Sequence, residues 1–220
     1  MRHRFDLVIF DCDGVLVDSE CLASSLLADF INELGGCLTG QDCRARFTGL
    51  SIKAVGEMLR ADGLDIPEDF EPRLRARDRL HFERELKPIP GIHGALDTLS
   101  GPRCVASSGS PEKIRHSLTL CHLLDRFDPY LFSAVQVDRG KPAPDLFLHA
   151  AGAMGVSPDR SVVIEDSRAG VAAGRAAGMT VAGFVGGGHC DVGHDTALWE
   201  AGADQVFGDM ADLPSLLAAL

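Results

Sequence analysis

From residue 103 onward the chain alternates short apolar runs with helical stretches, and that alternation leaves few folds open to it. Runs at 103–106, 130–133, 161–164, 180–184 and 204–207 read as strands. Helical patterns at 111–120, 144–154, 167–177 and 213–220 lie between and after them. Such a sequence predicts an α/β fold with a doubly wound parallel sheet. A further apolar run, Leu7-Val8-Ile9-Phe10, adds a strand near the start. No β-branched run appears over residues 18–87. Instead Ser19 stands as an N-cap before a helical segment that ends near Leu34, where Gly35-Gly36 stops it. Short helices are expected at 42–47 and 52–59, parted by the turn Thr48-Gly49-Leu50-Ser51, and a long charged helix at 69–86. The expected organisation is therefore a core of 1–17 and 88–220, with a helical cap of 18–87 inserted after the first strand.

In doubly wound sheets, ligands bind at the carboxyl ends of the strands, so the residues that follow each strand carry the chemistry. After the first come Asp11, Cys12, Asp13 and Gly14. Strand residues two apart share a face, so Asp11 and Asp13 emerge together, and Cys12 points away as core filler. Two carboxylates this close resist joint ionisation unless a cation or a shared proton intervenes. One ionised carboxylate to attack and one protonated carboxyl to serve the leaving oxygen is what nucleophilic phosphoryl chemistry needs. After 103–106 come Ser107, Ser108, Gly109 and Ser110, hydroxyls and backbone N–H groups at a helix start, which suit an anion. Lys141, stiffened by Pro142 and Pro144, offers a fixed ammonium. After 161–164 come Glu165 and Asp166. Four converging carboxylates call for a hard cation that keeps some of its waters, which points to Mg²⁺.

Composition narrows the remaining classes. A net charge of −11 gives no electrostatic route to nucleic acid or to an anionic membrane. Hydrophobic content of 45% and a mean hydropathy of +0.07 fit a globular chain with no membrane span. The first residues, Met1-Arg2-His3-Arg4-Phe5, are too short for a signal peptide, and seven scattered cysteines without a CxxC pair fit a reducing compartment. A cytoplasmic monomer acting on a small phosphorylated molecule is the expectation.

DCDGVLVDSE, the Ser after the second core strand, GKPAPD and EDSRAGVAAGRAAGM occur in this order and span nearly the whole chain. Together they resemble the haloacid dehalogenase-like hydrolase superfamily. The resemblance implies a Rossmann-like core with a helical cap, and Asp11 as the nucleophile that forms an aspartyl-phosphate. It implies Asp13 as general acid and then base, and Ser107 and Lys141 as holders of the phosphoryl group. Mg²⁺ would rest on Asp11, the Asp13 carbonyl and Asp166, with Glu165 supporting it. Within the superfamily, FDCDGVLVDSE and residues 115–145 look most like sugar-phosphate phosphatases similar to 6-phosphogluconate phosphatase. β-Phosphoglucomutases share the cap and core but carry a cap His and Arg where counting places Ala23 and Ile52 here, which favours hydrolysis over phosphosugar transfer. Arg46 or Lys53, on or beside the 48–51 turn, is expected to meet a second anionic group on the substrate, such as a sugar-acid carboxylate. The loop 186–194, GGGHCDVGH, mimics a zinc site with His189, Cys190, Asp191 and His194, and reads more simply as a flexible rim.

Overall fold

The computed structural model describes residues 4–47 and 50–220. The chain divides into two compact units, Met1–Asp18 with Lys87–Leu220, and Ser19–Leu86.

The first strand, β1 (Leu7–Phe10), precedes the second unit, which holds four helices: α1 (Glu20–Glu33), α2 (Gly40–Phe47), α3 (Ile52–Ala61) and α4 (Phe70–Glu85). They close over an apolar centre in which Phe30 stacks on Phe70 at 5.2 Å, with Ile31, Leu59 and Leu74 around them. Ser51 caps α3 by accepting from the Ala54 N–H at 3.2 Å. Ser19 stands at the N-cap position of α1 but makes no side-chain capping bond, because its backbone is already helical. The outer face of α4 carries ion pairs such as Arg75–Glu71 and Arg77–Glu33. Thr48 and Gly49, half of the expected turn, lie outside the described residues.

In the first unit the chain continues with α5 (Ile92–Thr98), β2 (Arg103–Ser107), α6 (Pro111–Leu120), β3 (Leu131–Ser133), α7 (Asp145–Ala153), β4 (Ser161–Glu165), α8 (Arg168–Ala176), β5 (Thr180–Phe184), α9 (His194–Glu200), β6 (Gln205–Phe207) and α10 (Leu213–Ala219). The six strands pair in parallel in the order β3-β2-β1-β4-β5-β6. Sequence periodicity missed α5 and α9. Each is seven residues long and is entered from a left-handed glycine, Gly91 or Gly193, so neither offers the polar N-cap that marks a helix start.

The sheet is apolar on both faces, as a parallel sheet covered by helices requires. Leu7, Ile9, Cys104, Val163 and Val181 pack beneath Leu146, Phe147 and Ala150 of α7 and Val171 and Ala173 of α8. Phe10 meets Phe127 edge-on at 5.7 Å. Each fully buried side chain of this size contributes about 1.5–3 kcal/mol. Register then aligns the strand ends. Phe10 lies opposite both Val105 and Ile164, and the Asp11 N–H donates to the Ile164 carbonyl at 3.0 Å. Strand order reverses on either side of β1, which is where such sheets open a crevice. Among the described residues no helix is long and apolar enough to cross a membrane.

Candidate active site

Asp11 follows β1 directly and is buried, with a relative exposure of 8%. Its Oδ1 accepts from Lys141 Nζ at 2.8 Å, and the same ammonium donates to Glu165 Oε1 at 2.5 Å. Lys141 arrives on the segment between β3 and α7. Arg139 and Asp145 clamp that segment with two hydrogen bonds of 3.0 and 2.7 Å. The ammonium also lies 5.0 Å from the Phe147 ring centre, over an apolar floor.

Glu165 closes β4 and is fully buried. Its second oxygen accepts from both the N–H and the hydroxyl of Ser167 at 2.9 Å. Ser167 in turn caps α8 by accepting from Gly170 N–H at 3.0 Å. Both Glu165 oxygens are therefore engaged, one on the ammonium and one on the start of α8. A Cβ on Gly170 would fall 1.8 Å from Glu165 Oε1, so only glycine admits the carboxylate there.

Asp11, Glu165 and Asp166 bring carboxylate oxygens within 4.8 Å of one another. Burial, then repulsion from Glu165 and Asp166, pushes the Asp11 carboxyl well above its usual range despite Lys141. Burial alone would push Lys141 down, but Asp11 and Glu165 more than offset it and raise it, so the ammonium stays charged. Two like charges about 4 Å apart repel by roughly 4 kcal/mol at an effective dielectric near 20. Lys141, with His189 beside Asp166, still leaves the three carboxylates short of positive charge. The donor set is all oxygen and short of positive charge, which fits a hard divalent cation such as Mg²⁺.

Asp13 lies beyond Asp11 in a tight turn, where Gly14 N–H donates to the Val17 carbonyl at 2.8 Å. Gly14 has a φ of +78°, and a Cβ there would strike Asp166 Oδ2 at 1.9 Å. Asp13 Oδ2 pairs with Lys113 Nζ at 2.9 Å. Cys12 is buried between the two aspartates, and burial pushes its thiol well above the ordinary range, which leaves it inert.

Ser107 closes β2 and is buried, and its Oγ accepts from Gly109 N–H at 3.1 Å. Ser110 caps α6 through Lys113 N–H at 3.3 Å, so the cap does not draw on Ser107 or the exposed Ser108. The Lys113 stem passes over Gly109, within 3.4 Å of where a Cβ would stand. Lys113 thus links the serine loop to Asp13. Sequence reasoning missed it, yet a signal existed: a lysine in the first turn of a helix opposes the helix dipole. His189 was likewise passed over as a site residue, and its Nε2 lies 2.9 Å from Asp166 Oδ2. In the other unit, Arg46 is bonded to Asp62 at 2.5 Å and lies over Phe47 at 4.9 Å, while Lys53 is exposed on α3.

Residues 5–178 match the family profile of haloacid dehalogenase-like hydrolases. A curated relative, 6-phosphogluconate phosphatase of Escherichia coli K12, is 34% identical over 180 residues, covering 81% of each chain. Two solved structures are also close. One, a conserved haloacid dehalogenase-like protein of unknown function from Agrobacterium tumefaciens, superposes with a TM-score of 0.89 at 39% identity over 98% of each chain. The other, a HAD family hydrolase from Deinococcus radiodurans with bound phosphate and sodium, gives 0.88 at 32% identity over 99% of this chain and 97% of that one. The chain belongs to the haloacid dehalogenase-like hydrolase family. Within it, the chain is a phosphatase.

The Lys113–Asp13 pair is accessible, so it adds at most about 1 kcal/mol to stability. Lys113→Ala is expected to leave the melting temperature nearly unchanged while kcat falls roughly ten- to a hundredfold. That is less than the ~10²–10⁴ a positioned acid–base group supplies. Calorimetry beside steady-state kinetics checks both halves.

Proposed function

We propose that the chain is a Mg²⁺-dependent phosphomonoester hydrolase of phosphorylated sugars, 6-phosphogluconate among them, working through an aspartyl-phosphate on Asp11. The observation that carries this reading is the buried Asp11 carboxylate, held by Lys141 at the end of the central strand beside Glu165 and Asp166. The identities of the curated relatives support the substrate class: besides 6-phosphogluconate phosphatase, a phosphorylated carbohydrates phosphatase of Thermotoga maritima is 31% identical over 180 residues.

In this reading Asp11 Oδ attacks phosphorus, the bond from phosphorus to the sugar oxygen breaks, and Asp13 gives its proton to that oxygen. Asp13, now a carboxylate, takes a proton from a water. The water oxygen attacks phosphorus, the acyl-phosphate bond breaks, and Asp11 and inorganic phosphate are restored. Lys141 holds Asp11 in place and stabilises charge that develops on the phosphoryl oxygens. Ser107, Ser108 and the Gly109 segment bind the phosphoryl group. Lys113 meets the charge that appears on Asp13 once its proton has left. Asp11, the Asp13 carbonyl and Asp166 would hold Mg²⁺, which when bound neutralises the crowded carboxylates and polarises the phosphoryl group. Glu165 acts mainly through Lys141, since both its oxygens are engaged.

A phosphate-release screen of the purified protein over phosphosugars tests the proposal, with and without Mg²⁺. Turnover that requires Mg²⁺ and favours sugar phosphates is expected. Absence of phosphate release from every phosphosugar would refute it. Lys53→Ala and Arg46→Ala then test recognition of a second anionic group. Each is expected to slow 6-phosphogluconate about tenfold more than a neutral sugar phosphate, the worth of one charged contact at roughly 1.4 kcal/mol. Lys53 should give the larger change, because Asp62 already occupies Arg46.

A further inference from the structure

We propose that His189, Cys190 and His194 form a site for a thiophilic divalent cation of the zinc class, separate in its ligands from the Mg²⁺ carboxylates. The ligand atoms of the three side chains all lie within 4.8 Å of one another. Cys190 Sγ is 3.5 Å from His189 Nε2. Bond lengths near 2.3 Å to sulfur and near 2.0–2.1 Å to nitrogen give a tetrahedral S···N edge of roughly 3.5 Å. The pair is therefore already spaced as zinc ligands.

His194 is prepared in the same sense. Its Nε2 lies 2.6 Å from the Asp166 carbonyl oxygen, which can only accept, so Nε2 carries the hydrogen. In the neutral ring Nδ1 then keeps its lone pair, and a carbonyl behind a histidine is the usual support of a metal-bound imidazole. His189 Nδ1 is buried without a hydrogen-bond partner, so the ring is not held by a bond through that atom. The loop is shaped to bring the three together. Cys190 N–H closes a turn on the Gly187 carbonyl at 3.0 Å, and His194 N–H another on the Asp191 carbonyl at 3.1 Å. A thiol with two imidazoles is a soft donor set and selects zinc, cobalt or copper over magnesium. Without a cation, His189 Nε2 donates to Asp166 Oδ2 at 2.9 Å, so metal binding displaces that proton and leaves Asp166 with the Mg²⁺ carboxylates.

Cobalt(II) is the probe, because a thiolate–cobalt bond gives a charge-transfer band in the near ultraviolet and tetrahedral cobalt gives intense visible bands. Added to the full-length protein in the presence of excess Mg²⁺, one equivalent is expected to give both signals, and zinc to abolish them. Cys190→Ser should remove the charge-transfer band. His194→Gln, which keeps the thiol, should weaken cobalt binding by about tenfold or more, the scale of losing a positioned contact at a metal site. Asp11→Asn, and Cys37→Ser at an exposed free cysteine, should keep both signals, so the outcome depends neither on catalysis nor on an unrelated thiol. Circular dichroism establishes that each variant is folded. Absence of the charge-transfer band in the parent protein, or its persistence in Cys190→Ser, would overturn the site and leave the phosphatase reading untouched.

Discussion

Lys141→Met should lower phosphate release by roughly 10²–10³-fold, the scale of removing one preorganised charge-stabilising donor. It should also destabilise the protein. The ammonium is 5% exposed and serves two carboxylates, Asp11 and Glu165, that are themselves buried. Removing one partner of a buried ion pair leaves charge without compensation, at a cost of about 3–5 kcal/mol. The sign of the pH dependence follows. In the parent, Lys141 is raised above its ordinary value of 10.5, so its contribution is complete at every working pH and fades only in strong alkali. In the variant, Asp11 loses its cation, so its protonated form gains. A carboxyl raised on folding favours the native state at low pH and loses that advantage as pH rises through the folded value. The variant should therefore recover stability toward mildly acidic pH, whereas activity should not return. Thermal unfolding across a pH series checks this. A variant as stable as the parent at neutral pH would show that the triad is not coupled as described.

Gly170→Ala should produce an effect of similar kind from a residue with no chemistry of its own. The added methyl would fall 1.8 Å from Glu165 Oε1 and 1.9 Å from its Cδ. A surface glutamate would swing aside, but this one is fully buried and fixed by Lys141 and Ser167. Overpacking and a strained charged hydrogen bond together are expected to cost about 3 kcal/mol. For a chain of this size that lowers the melting temperature by roughly 6–12 °C. Lys141 then loses its second anchor, so kcat should fall as well. Gly152→Ala is the control of opposite sign. Gly152 lies within α7 with nothing within 4 Å of the added carbon, and alanine there should stabilise by about 0.5–1 kcal/mol. A destabilisation by Gly170→Ala no larger than a few tenths of a kcal/mol would mean that Glu165 is not fixed.

The sheet was legible because buried strands write themselves as apolar runs, and the binding rule for such sheets then pointed at Asp11, Lys141, Glu165 and Asp166. Asp11 and Lys141 lie 130 residues apart, yet both stand in strand-end loops that the pattern locates. The partner of Asp13, Lys113, 100 residues away, escaped because a lysine one turn into a helix looks like any solvated lysine until its direction is known. The serine caps differ for a similar reason. A serine before a helix is visible in sequence, but Ser110 and Ser51 make a side-chain capping bond whereas Ser19 does not, and that depends on φ and ψ. The 186–194 loop gave up least. Its glycines hid the start of α9, and nothing local shows that His189 turns toward Asp166.

Everything in the proposed reaction passes through one covalent bond, between phosphorus and the side chain of residue 11. Rapid quenching of the protein during turnover, followed by peptide mass analysis, tests it directly. The prediction is a hydroxylamine-sensitive phosphoryl adduct on Asp11 in the parent, and neither adduct nor phosphate release in Asp11→Asn. Phosphate release by Asp11→Asn at the parental rate, or an adduct on another residue, would contradict it.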